Sequence, residues 1–97
     1  MARPDRLDDE AIAHWCASTK GWSHDGGALR KQFRFADYPS TLAFVMRLGF
    51  AAEKRDHHPD LLVNWGRVEV RWSTHDAGGV TSLDLEMAAS SDEIAGP

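Results

Sequence analysis

Three of the chain's five histidines lie between Glu53 and Asp84. Two are adjacent, His57 and His58, and run into Pro59; the third, His75, closes a stretch of alternating character. Imidazole is the side chain whose ordinary pKa lies nearest neutrality, so three in one region point first to proton transfer or metal binding. Three histidines can hold a catalytic zinc with water in the fourth place. Adjacent residues, however, point in different directions, and a His-His pair lacks the i, i+4 spacing that sets two ligands on one helical face. Acid–base chemistry is therefore the leading reading and zinc its rival. Asp84 also reads two ways, as the cap of a last helix or as part of a site. Glu53 reads as part of a solvated helix face. Trp22, Trp65 and Trp72 read as core or edge packing, unless one stands at a site rim and stacks on a flat heterocycle.

The flanking elements decide whether the histidines meet. Asp8 is a good N-cap, with Leu7 and Ile12 as its hydrophobic staple, for a helix that Lys20 and Gly21 close. His14 falls off the apolar face of that helix. After Trp22 the polar SHDGG, which contains His24, reads as a turn. From Ala28 to Phe35 the residues alternate, with Leu29, Lys31, Phe33 and Phe35 on one side; this predicts a half-buried strand in which Lys31 is the imperfect member. Asp37-Tyr38-Pro39-Ser40 opens a second helix, apolar over more than half its circumference and hence covered on two sides, by its own sheet and by a second subunit. Pro59 disfavours α conformation at His58, which stops this helix near Arg55 or Asp56 and leaves the histidine pair just past its end. Leu61 to Trp65 predicts a short strand, and Gly66-Arg67 the tight turn of a hairpin. Val68, Val70, Trp72 and Thr74 then alternate with Glu69, Arg71, Ser73 and His75, which sets His75 at the end of the next strand. Thr81 with Asp84 reads as a capping box, opening a helix that runs to about Ile94. This order predicts a two-layer α+β domain: a small antiparallel sheet of three to four strands with three helices packed on one face.

Ninety-seven residues make a single domain with its core at about 7–94, enough to bury roughly 60–65% of the unfolded surface. A net charge of −4 argues against nucleic acid as a partner. The lone Cys16 cannot form an internal disulfide. No apolar run approaches a membrane span, and MARPDRLDDE lacks the apolar core of a secretory signal, so a cytoplasmic location is expected. Residues 1–6 are polar and are expected to form no element.

At this point the sequence resembles the pterin-4a-carbinolamine dehydratases. The family pattern of an acidic or polar residue, His-His-Pro, an aromatic, a further His and a later Asp is met with every spacing kept by Glu53, His57-His58-Pro59, Trp65, His75 and Asp84. Gly21-Trp22, KQFRF and STHDAGG extend the likeness over nearly the whole chain. The resemblance implies removal of water from 4a-hydroxytetrahydropterin to give quinonoid dihydropterin, with no metal and no cofactor beyond the pterin substrate. It implies His57 and His75 as the acid–base pair, His58 as the group that mainly holds the pterin, and substrate contacts from Trp22, Asp56, Ser73, Thr74 and Asp76. Glu53, Pro59, Trp65 and Asp84 would support the site. It also implies a homodimer by pairing of sheet edges, or a homotetramer by helix packing, although the small polar end AASSDEIAGP departs from the family's helix contacts. Trp65 stands where many members have tyrosine, and Gly66 where asparagine is common. The alternative is a protein-binding module of the same fold, since dehydratase-like proteins serve as a transcription cofactor or in Rubisco assembly.

Overall fold

The alternation of Val68, Val70 and Trp72 with Arg67, Glu69 and Arg71 is realised as the central strand of an antiparallel sheet. The computed structural model describes residues 4–97. Its elements are α1 (Asp9–Ala17), β1 (Ser23–Asp25), β2 (Ala28–Arg34), α2 (Tyr38–Arg55), β3 (Asp60–Asn64), β4 (Arg67–Trp72), a 3₁₀ turn at His75–Ala77, and α3 (Ser82–Ala95). The four strands lie in the order β1-β2-β4-β3, all neighbours antiparallel. Val68 sits opposite Phe33 and Val63, and Val70 opposite Lys31 and Leu61, so one face collects the apolar residues and the other the arginines. The apolar face and the helices enclose a core that includes Ile12, Leu29, Phe44, Leu48, Trp72, Val80 and Met87. The α+β two-layer architecture with three helices is thus the one expected from the sequence.

Local chemistry starts and stops the helices. Asp8 Oδ1 accepts the Ala11 N–H at 2.8 Å, and Asp37 Oδ1 accepts that of Ser40 at 2.8 Å. The Ser40 hydrogen bonds hold the Asp37 carboxyl below the ordinary aspartate value. Along α2, Thr41, Phe44, Leu48 and Ala52 are buried, while Leu42, Met46 and Phe50 form an exposed stripe at a spacing of four. The inward Lys31 is explained by α3: its Nζ lies 2.6 Å from Asp92 Oδ1 and 4.8 Å from the centre of the Phe33 ring. Asp92 also accepts the Trp22 indole N–H at 2.9 Å.

Four boundaries differ from expectation. Ser23–Asp25, expected as turn, is a short edge strand, because the reversal narrows to Gly26-Gly27, both at positive φ. Helix α1 ends at Ala17 rather than Lys20, where the Ser18 and Thr19 hydroxyls turn back onto the carbonyls of Trp15 and Cys16. The β3–β4 hairpin turns at Trp65-Gly66, one residue earlier than expected; Gly66 at φ 71° takes the left-handed position, and its N–H is fixed by Thr41 Oγ1. Strand β4 stops at Trp72, and His75 lies in a turn closed by the Thr74–Gly79 bridge. The N-terminal stretch expected to form no element falls, at residues 1–3, outside the described residues; by Leu7 the chain is pinned through its N–H to the Val80 carbonyl at 2.8 Å. Among the described residues no helix is long and apolar enough to cross a membrane.

Candidate active site

The end of α2 is built to turn His57 inward and leave His58 at the surface. Asp56 takes the left-handed conformation at φ 49°, a position aspartate tolerates better than most residues. This lets the His57 N–H bond the Ala52 carbonyl and close the helix. His57 is then laid over the sheet, its ring stacked on Trp72 with centroids 5.6 Å apart and planes 17° from parallel. Only 6% of His57 is exposed. Its Nε2 lies 2.6 Å from Oδ1 of the fully buried Asp84.

Asp84 comes from the first turn of α3, where the helix dipole favours an anion. Its Oδ2 accepts the Thr81 N–H at 2.8 Å and the Thr74 hydroxyl at 2.7 Å. One carboxylate therefore caps a helix and holds a histidine. His58 faces outward, with its Nε2 2.8 Å from Oε1 of the exposed Glu53.

Asp56, His57, His58, Ser73, Thr74, His75 and Asp76 line one cleft of about 250 Å³, at the small end for ligand sites. The three histidines named from the sequence thus share a cavity, and the end of α2 and the turn after β4 supply all its walls. Two side chains are held by partners that the sequence did not name. The Thr74 hydroxyl is directed to Asp84, because that buried carboxylate needs donors, while Thr74 also borders the cleft. Trp22 lies outside the cleft: it is held by Asp92 and packed between Trp15 and Phe33, at ring distances of 6.3 and 6.0 Å. Trp65 is 69% exposed at the hairpin tip and packs in neither core nor cleft. Pro59 separates the histidine pair from β3. Sequence reading treated Trp72 as generic packing; nothing local announces that His57 stacks on it, or that Ser91 accepts its indole N–H at 3.0 Å.

Among the described residues no three His, Cys, Asp or Glu side chains are grouped to hold a metal ion. A wider depression along Asp8, Glu10, Ala11, Ala13 and His14 of α1 has no converging buried polar groups.

A family model described as "Pterin 4 alpha carbinolamine dehydratase" matches residues 5–94. A relative in Roseiflexus castenholzii, provisionally named a pterin-4-alpha-carbinolamine dehydratase, is 42% identical over 91% of this chain and 95% of its own. One in Sinorhizobium medicae with the same provisional name is 43% identical over 96% and 90%. Among solved structures, a transcriptional coactivator/pterin dehydratase from Brucella melitensis superposes with a TM-score of 0.90 at 33% identity, over 95% of this chain and all of the other. A pterin dehydratase-like protein identified as a RuBisCO assembly factor in the alpha-carboxysome gives 0.69 at 25%, over 78% and 90%.

Proposed function

Since the chain belongs to the pterin 4 alpha carbinolamine dehydratase family, we propose that it removes water from a 4a-hydroxytetrahydropterin, giving the quinonoid dihydropterin, by histidine acid–base catalysis. The observation that carries this reading is the convergence of His57, His58 and His75 on one cleft, with His57 backed by a buried carboxylate. Carbon 4a bears both the hydroxyl and a ring nitrogen. The nitrogen lone pair expels the hydroxyl once an acid protonates it, and the nitrogen's proton passes to a base as the C=N bond forms. Imidazoles serve both roles near neutral pH. His57 and His75 are the acid–base pair, and His58, oriented by Glu53, holds the pterin with Asp56, Ser73 and Asp76. The reaction needs no redox partner, because water is the only group lost. The proposed setting is cytoplasmic, beside a pterin-consuming hydroxylase.

The test follows the absorbance of 4a-hydroxytetrahydropterin. Wild-type protein accelerates its loss over buffer alone, and His75→Ala lowers the enzymatic rate on the order of 10²-fold. A wild-type rate equal to buffer sinks the proposal.

The exposed stripe Leu42-Met46-Phe50 supports a second element of the reading, a homo-oligomer. Phe50 is 68% and Met46 58% exposed on an otherwise well-packed helix, and a second copy would cover them. We expect light scattering after gel filtration to give at least twice the 10.8 kDa chain mass, and Phe50→Glu to lower it. A wild-type monomer at micromolar concentration rules this out. The protein-binding alternative rests on the same stripe and on the names of the coactivator and assembly-factor neighbours. It would stand beside catalysis, since the three histidines are kept.

A further inference from the structure

Thr74 does not belong to the helix that Asp84 caps. It lies past the end of β4, yet its hydroxyl, only 2% exposed as a residue, makes a 2.7 Å bond to Asp84 Oδ2. Capping of α3 is already served by the Thr81 N–H, so the Thr74 contact needs another reason.

The proton count supplies one. The Thr81 N–H can only donate, so Oδ2 is an unfavourable place for a proton. Thr74 Oγ1 also lies 2.8 Å from Thr81 Oγ1. Each hydroxyl has one proton; with that of Thr74 given to Asp84, the Thr81 hydroxyl donates to Thr74 at 2.8 Å in preference to its longer, 3.4 Å approach to Asp84 Oδ2. The direction of the chain is then fixed: Thr81 to Thr74, Thr74 to Oδ2. Two donors from different elements, the turn after β4 and the start of α3, clamp Oδ2 and set the plane of the carboxylate. Oδ1 is left aimed at His57 Nε2. A carboxylate so held accepts the Nε2 proton, and the Nδ1 lone pair of the neutral ring remains for the cleft that His57 lines.

We infer that Thr74, backed by Thr81, is a positioning residue: its hydroxyl fixes the Asp84 carboxylate and through it the tautomer and orientation of His57. The kinetic consequence rests on the dehydratase reading, whereas the tautomer does not. Nitrogen-15 NMR of the wild-type protein is expected to show neutral His57 protonated at Nε2, with a strongly downfield Nε2–H proton. In Thr74→Val, which keeps the shape and loses the donor, that proton moves upfield and broadens. Thr74→Ser restores it. In the pterin assay, Thr74→Val loses about tenfold in kcat with KM nearly unchanged, and Thr74→Ser recovers most of the loss. A His57 protonated at Nδ1 overturns the inference in the wild type, without recourse to any variant. So does a folded Thr74→Val with an unmoved Nε2–H resonance, or a Thr74→Ser no better than valine. If wild type fails to dehydrate the pterin but the resonance behaves as described, the positioning role stands and the dehydratase reading falls.

Discussion

His57→Ala is expected to lower the enzymatic dehydration rate by about 10³–10⁴-fold, the upper range for loss of a positioned acid or base. The size follows from burial. His57 is the one cleft histidine withdrawn from water, stacked on Trp72 and bonded to Asp84. Exposed His58 and His75 exchange freely with solvent and so are more easily replaced by it. Alanine leaves a space beside Trp72 that water enters, but water there is a poorer base and is not aimed. The loss should fall on kcat more than on KM, because the proton moves only in the transition state. Steady-state kinetics against the buffer rate decides the matter: a loss of less than tenfold removes His57 from the chemistry.

The largest stability effect is expected at Asp84. Asp84→Ala strips the Thr81 N–H, the Thr74 hydroxyl and His57 Nε2 of their acceptor at once, all in a buried site. Unpairing a buried charged network costs about 3–5 kcal/mol, a large share of the 5–15 kcal/mol typical of a small domain. Asp84→Asn, which keeps one oxygen acceptor, should lose less. Urea unfolding followed by tryptophan fluorescence measures both. An Asp84→Ala midpoint close to wild type would mean that water replaces the carboxylate, contrary to its complete burial.

How much of this was legible in sequence depended on whether the signal was local. Pro59 marks the end of α2, and alternation from Val68 marks β4, so the common neighbourhood of His57, His58 and His75 could be read from pattern. The Thr81–Asp84 capping box could be read for the same reason, since both partners lie within one turn. The partner of Asp84 across the fold could not: His57 is 27 residues away, and only the packing of α3 against the end of α2 brings the two together. Resemblance placed Trp22 at the site, whereas the chain places it against Asp92. Lys31 broke the alternation of β2 for a reason that lay in α3. The strand β1 was missed because Ser23, His24 and Asp25 have no strand preference of their own and take their conformation from Ala28–Arg30 alongside.

The Lys31–Asp92–Trp22 contact gives the excluded tryptophan a hold on the cleft after all. Helix α3, fourteen residues long, is too short to be stable alone, and its axial position is set by where its side chains are tied down. Among its ties are Asp84 at its start and Asp92 two turns later, about 12 Å along the axis, with Ser91 held by Trp72 beside the second. A helix pinned at two points can neither slide nor roll: slippage by one residue would carry Asp84 about 1.5 Å along the axis and swing it about 100° around it. Trp22 and Lys31 thus act as the remote fastening of a lever whose near end points a carboxylate at His57.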